Sequence, residues 1–215
     1  MKAPLFILTA LLMACNRQPQ QAAEHNTGPA DTAYVYLTDY DTTFVLDLKY
    51  ATDDNFLHRA VYPCAECKLA YETVRALIRA QQYFRQRGYR LKLFDCYRPR
   101  SVQHKMWEIL PDDRYVANPA GKGSAHNRGL AVDLTLVTAD GRELDMGTGF
   151  DHFGEEAHHN YTNLPDTVWQ NRQLLKTGMV AAGFAPYPTE WWHYTYRSSH
   201  EYEPADDPLC RQQTN

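Results

Sequence analysis

The sequence has no excess of positive charge. Its 215 residues hold 22 Lys and Arg against 26 Asp and Glu, a formal net charge of −4. Such a balance cannot neutralise a run of phosphates, so a nucleic-acid partner has no support. Past residue 15 there is also no long apolar run, and a spanning helix needs roughly 20 such residues. The remainder is therefore expected to be soluble. No internal repeat is present. The pair Cys64-x-x-Cys67 has no second Cys-x-x-Cys partner and no thioredoxin-like surroundings. A redox pair or half of a zinc site therefore ranks below a structural crosslink. Apolar material is not scarce. Hydrophobic residues make up 44% and aromatics 13%, which excludes a wholly disordered chain. One domain is expected at this length.

Residues 1–15 read MKAPLFILTALLMAC. Lys2 is a short positive region and residues 5–13 an apolar one, too short to cross a bilayer. Leu12-Met13-Ala14-Cys15 has the form of a bacterial lipobox, with an aliphatic residue at −3 and a small one at −1. The expectation is cleavage before Cys15 and lipidation of its thiol, with ordinary secretion as the alternative. Residues 16–32 are polar and rich in Gln and Ala, a flexible tether. Residues 33–215 are left as the folded domain. This places the protein in the bacterial cell envelope, exported and lipid-anchored. Outside the cytoplasm disulfides persist, so Cys64, Cys67, Cys96 and Cys210 are expected to crosslink, with three pairings open.

Hydropathy alternates over residues 33–37 and 43–48, with a turn at 39–41. Residues 50–67 read as loop. Residues 69–87 form the clearest helix, with Val74, Leu77, Ile78, Gln81 and Phe84 on one face and Gly88 as its stop. A strand over 90–95 and a helix over 101–110 follow. Residues 114–122 are irregular. Residues 129–137 read as a central strand, with a turn at Asp140-Gly141. A His- and acid-rich loop over 151–160 leads to a second helix, 166–182, and a final strand, 190–196. This mixed order predicts an α+β domain with a largely antiparallel sheet and flanking helices.

Three stretches can carry chemistry. In Ser124-Ala125-His126-Asn127-Arg128-Gly129-Leu130-Ala131-Val132-Asp133, His126 and Asp133 are both good metal ligands. They are seven apart, so on one unbroken strand they would face opposite ways. Both reach one metal only if His126 lies on a loop and Gly129 lets the chain turn. Alone, the pair is weak evidence, and a satisfied loop His with a turn-capping Asp is the default reading. In Glu190-Trp191-Trp192-His193, a carboxylate and a third ligand can share a cleft if the strand bulges or starts at Glu190. In Phe94-Asp95-Cys96-Tyr97-Arg98-Pro99-Arg100, Arg98 ends a strand and is placed to bind an oxyanion or carboxylate.

Together, Ser124-x-His126-x-x-Gly129-x-Ala131-x-Asp133, Glu190-x-Trp192-His193 and Tyr97-Arg98-Pro99 resemble, in the same order, the zinc D-alanyl-D-alanine dipeptidases of the vancomycin-resistance type, M15 peptidases. Asp47-Leu48-Lys49-Tyr50-Ala51-Thr52 with Asn55-Phe56, Met146-Gly147 with Phe150-Asp151, and His158-His159 add to the resemblance, which covers roughly residues 47–196. It implies a small α+β fold shared with zinc D,D-carboxypeptidases and the hedgehog signalling domain. It implies one zinc ion per chain on His126, Asp133 and His193, with Glu190 as general base and Arg98 facing the scissile carbonyl oxygen. Ser124 would help hold the substrate carboxylate, and Asp151 and Tyr50 the free ammonium. The implied substrate is D-Ala-D-Ala or a related D-dipeptide. The family often has Gly where this chain has His58, and Cys64, Cys67 and Cys96 also depart from the cytoplasmic dipeptidases. The rival readings are a zinc D,D- or L,D-carboxypeptidase trimming wall peptides and a non-catalytic wall-binding zinc domain.

Overall fold

The computed structural model describes residues 28–212. Residues 1–15, expected as a signal peptide ending at Cys15, and most of the expected tether, 16–32, lie outside the described residues. The elements are β1 (Tyr34–Tyr36), β2 (Val45–Leu46), β3 (Lys68–Ala70), α1 (Tyr71–Arg85), β4 (Tyr89–Asp95), α2 (Arg100–Ile109), β5 (Ala131–Thr138), α3 (Asp166–Ala181), β6 (Phe184–Tyr187) and β7 (Glu190–Tyr196). The main sheet has the order β2-β4-β5-β7-β6, and a small second sheet pairs β1 with β3. In the main sheet only β2 with β4 is parallel. The α+β, largely antiparallel expectation holds.

β5 is the central strand. Its residues Ala131 to Val137 are buried on both faces, which is why they read as a nearly continuous β-forming run. α1 covers one face with Val74, Leu77 and Phe84, all fully buried. Gln81 shares that face because its polar atoms are used. Its Oε1 accepts the Leu91 amide at 2.8 Å and its Nε2 donates to Thr43 Oγ1 at 3.1 Å. α3 lies against α1 at Gly178, where a Cβ would come within 2.3 Å of Phe84 Cζ. A second apolar cluster, including Tyr50, Tyr62, Tyr97, Met106 and Leu209, fills the space beneath the long 50–67 segment.

Three elements differ from the sequence expectation. β1 pairs with β3, and the turn expected at 39–41 begins earlier, as the 3₁₀ turn Leu37–Asp39 closed by the Tyr40 and Asp41 amides on the Leu37 carbonyl. α1 begins at Tyr71, because Lys68, Leu69 and Ala70 are taken by the pairing with β1. β6 lacks a strand signal because it contains Pro186, which a sheet edge tolerates. The cysteines pair as Cys64–Cys210 and Cys67–Cys96.

Candidate active site

Asp133 and His193 are direct partners across β5 and β7, so their side chains share one face of the sheet. His193 Nδ1 lies 2.9 Å from Asp133 Oδ1. His126 comes from the 3₁₀ turn Ala125–Arg128 that precedes β5. Ser124 Oγ caps that turn by accepting the His126 amide at 3.2 Å, and Asn127 Oδ1 accepts the Ser124 amide at 2.8 Å. Gly129 ends the turn at φ 64°, the left-handed region. A Cβ there would sit 2.6 Å from Tyr34 Cε1 and 2.8 Å from Ala70 N, so both conformation and space require glycine. The turn solves the parity problem. His126 Nε2 arrives 3.3 Å from Asp133 Oδ2 and 3.2 Å from His193 Nδ1. One ligand atom from each of the three residues lies within 4.8 Å of the others.

The donor set fits a divalent cation. His126 Nδ1 lies 2.7 Å from the Cys96 carbonyl oxygen, an acceptor, so the ring donates there and Nε2 keeps a lone pair. His193 Nε2 faces Thr195 Oγ1 at 3.2 Å, leaving Nδ1 toward the cluster. Two imidazole lone pairs and a carboxylate thus meet at one point, a set suited to zinc. The local field is negative. Burial works to lower the His126 pKa, yet Asp133 and Asp95 outweigh it and the pKa is raised. Asp133 is held well below the ordinary carboxylate range. Burial opposes this, and His126 and His193 overcome it.

Glu190 is the first residue of β7, and the pairing with β6 skips between Pro186 and Tyr187 beside it. Its Oε2 lies 3.8 Å from His193 Nδ1. Burial raises its pKa, with Asp133 adding and His193 opposing. Arg98 is buried, 7% exposed, and firmly held. Its Nη2 donates to Asp95 Oδ2 at 2.6 Å, its Nη1 to Gln103 Oε1 at 3.0 Å, and the guanidinium lies 5.1 Å from the centre of the Tyr50 ring. Its Nε–H has no partner among the described residues. Asp151 adopts φ 58° and accepts from Tyr50 OH at 3.1 and 3.2 Å. Burial, then Asp133, pushes its pKa well above the usual carboxylate value.

Tyr50, Arg98, Ser124, His126, Asp133, Asp151, Glu190 and His193 all line one cavity of about 300 Å³. The structure therefore brings together every described site residue named from the sequence. It does not bring His159 there. That ring packs 5.9 Å from Tyr194 and lines no part of the cavity. Sequence reasoning missed Asp95, which also accepts from Tyr62 OH at 2.5 Å and lies 3.5 Å from His126 Nδ1. Its signal was a charged residue at the buried end of a strand. The wall residues Tyr115, Phe153 and Tyr187 were also missed, and nothing separates them from the many other aromatics of the chain.

The family model described as D-ala-D-ala dipeptidase, Peptidase M15, matches residues 30–210. The chain belongs to this family. The D-alanyl-D-alanine dipeptidase of Escherichia coli (strain K12) is 38% identical over 149 residues, 69% of this chain and 77% of the relative. That of Enterococcus faecium is 36% identical over 171 residues, covering 70% and 85%. That of Streptomyces coelicolor is 37% identical over 172 residues, again 70% and 85%. Among solved structures, VanYB in complex with D-alanine-D-alanine is 17% identical with a TM-score of 0.40, covering 63% of this chain and 75% of that one. His58 holds φ 51°, the left-handed conformation that a glycine would adopt freely.

Proposed function

We propose that this chain is a zinc-dependent D-alanyl-D-alanine dipeptidase, exported and held at the bacterial envelope by a lipid on Cys15. The observation that carries the reading is the meeting of His126, Asp133 and His193 in a cavity that also holds a free base, a fixed cation and a carboxylate. Zinc, when bound by these three side chains, supplies Lewis acidity toward water and the scissile carbonyl.

The chain's own groups do the rest. The Glu190 carboxylate accepts the proton of the attacking water and passes it to the leaving amine. Burial raises its pKa toward the working range, which suits both roles. Arg98 cannot swing to follow the substrate, because Asp95 and Gln103 hold both terminal nitrogens. Arg98 lines the cavity as a cation already in place for the carbonyl oxygen as negative charge grows there. Ser124 Oγ accepts the His126 amide, which leaves its own O–H to donate to the substrate carboxylate.

Asp151, with Tyr50 beside it, receives the free ammonium. Burial and the nearby Asp133 make an unpaired Asp151 carboxylate costly, so an arriving ammonium is bound by it. A substrate with a blocked amine leaves Asp151 unpaired, which is how the site selects dipeptides. Export is supported by residues 1–15 and by two disulfides, which fit an oxidising compartment.

The test is a metal analysis coupled to hydrolysis of free D-Ala-D-Ala beside its N-acetylated form. Faster cleavage of the free dipeptide is expected. Preference for the blocked form assigns the chain to carboxypeptidase chemistry instead. Zinc-replete protein that cleaves neither is a binding module. For the anchor, Cys15→Ala is expected to release the protein from the membrane fraction.

A further inference from the structure

The chain after β7 runs back across the two stretches that carry Arg98 and His126. Ala205 bridges them with its backbone. Its N–H donates to the Asn127 carbonyl at 2.8 Å, and its own carbonyl accepts the Arg100 amide at 2.9 Å. Asp206 Oδ1 accepts the Ser101 amide at 2.7 Å, and the Tyr202 carbonyl accepts from Arg128 Nε at 3.0 Å. One step inward, Asn127 is fully buried and its Nδ2 donates to the Arg98 carbonyl at 2.8 Å. The Arg98 amide in turn donates to the His126 carbonyl at 3.1 Å. The returning segment, the Arg98 stretch and the His126 turn are thus one hydrogen-bonded assembly.

Residues 197–212 contain no helix or strand, so no regular ladder holds this segment. Leu209 anchors it in the apolar cluster that includes Tyr50 and Tyr97. Its covalent tie is Cys210, bonded to Cys64 across 146 residues of sequence. Both of those cysteines are partly exposed, whereas Cys67 and Cys96 are 2% and 1% exposed. A reductant in solution therefore meets the Cys64–Cys210 bond well before it meets the other.

We propose that residues 202–210 form a strap that positions Arg98 and His126 for catalysis, and that the Cys64–Cys210 disulfide is the latch that holds the strap in place. The inference rests on the dipeptidase reading. An external dithiol opens the latch by thiol–disulfide exchange: it gives up two electrons and two protons, leaves as a disulfide, and yields free thiols on Cys64 and Cys210. With the latch open the strap gains chain entropy, and its hydrogen bonds to Arg100, Ser101 and Asn127 are made only part of the time. Arg98 and the His126 turn then lose registration with each other, while Asp151, which lies outside this assembly, still binds the substrate's ammonium.

The experiment uses the full chain with Cys64→Ser and Cys210→Ser together, Cys67–Cys96 intact, and D-Ala-D-Ala as the probe. A positional loss of this kind lowers kcat by roughly tenfold to a hundredfold, with KM held within about twofold. Zinc is expected to leave faster to a chelator, and the Arg100 and Ala205 amides to exchange hydrogen faster, while near-UV dichroism is kept. A mild dithiol on the wild-type protein should reproduce all of this and reverse on reoxidation. Asp206→Ala, with both disulfides present, should give a weaker form of the same kcat-against-KM split, so the strap is tested even if the double variant misfolds. Unchanged kcat and zinc release in a variant whose strap amides exchange freely overturn the proposal. So does reduction of both disulfides at one rate. If the wild-type chain cleaves no dipeptide, the dipeptidase reading fails by itself, and zinc release and exchange still decide whether the strap supports the site.

Discussion

Asp133 Oδ1 lies 2.9 Å from His193 Nδ1 because the two residues face each other across neighbouring antiparallel strands. Sheet pairing alone fixes this half of the cluster, so either side chain can be removed without moving the other. Asp133→Ala and His193→Ala are each expected to drop bound zinc from about one per chain to a trace, with the fold retained. Metal analysis after gel filtration, alongside far-UV dichroism, checks this.

Arg98 and Asp95 form a buried ion pair at 2.6 Å, with side-chain exposures of 8% and 0%. On the proposed mechanism, removing the guanidinium takes a transition-state donor away. Arg98→Ala is expected to lower kcat by about 10²–10³ with zinc retained. Removing its partner instead strands a buried cation, so Asp95→Ala should cost about 3–5 kcal/mol of stability. Arg98→Ala also leaves Asp95 buried without its cation, so urea titration should show a loss for both variants, and turnover per folded molecule isolates the donor's part.

Asp151 takes its hydrogen bonds from Tyr50 OH, and no cation is paired with it among the described residues. Asp151→Asn keeps the shape and removes the charge. KM for free D-Ala-D-Ala should rise by at least about tenfold, the loss of a charge-assisted contact. The gap between free and N-acetylated dipeptide should close. An unaltered ratio would place the ammonium elsewhere.

Gly129 holds φ 64° against Tyr34 and the Ala70 backbone. Gly129→Ala carries about 1–2 kcal/mol of left-handed strain before any clash is counted. Relief requires the turn to move, and His126 moves with it. Both the melting temperature and the zinc affinity should fall together, as calorimetry and metal titration would register.

His159 has both ring nitrogens buried without partners among the described residues, and its pKa is lowered to about 4 by burial, with Lys176 and Arg172 adding. The folded state keeps it neutral while the unfolded chain protonates it near pH 6.5. Between those values the unfolded state binds more protons, so stability falls as pH falls from about 6.5 toward 4. The expected loss is on the order of 2–3 kcal/mol. His159→Phe should flatten that part of the stability profile measured by urea unfolding, and an unchanged slope would exclude this source.

The site was legible in the sequence to different depths. Asp133 and His193 announce themselves only as residue types, and His126 with Asp133 even argues against a shared face by strand parity. What made them readable was their joint spacing with Glu190, Arg98 and the flanking glycine, a pattern that resembles a family. Asp95 stayed hidden because its use is collective. It serves Arg98, Tyr62 and the rear of His126 together, and no single spacing records that.

Local order determined α1, β4, α2, α3 and β7, because periodic burial is written every two or every three to four residues along the chain. Tertiary structure alone decided that β1 seeks β3, that Cys64 bonds Cys210 and Cys67 bonds Cys96, and that the C-terminal segment lies against the Arg98 and His126 stretches. Contacts between residues far apart in sequence depend on which faces the folded sheet leaves free. Hydrophobic packing settles that for the whole domain at once, and no local stretch carries it.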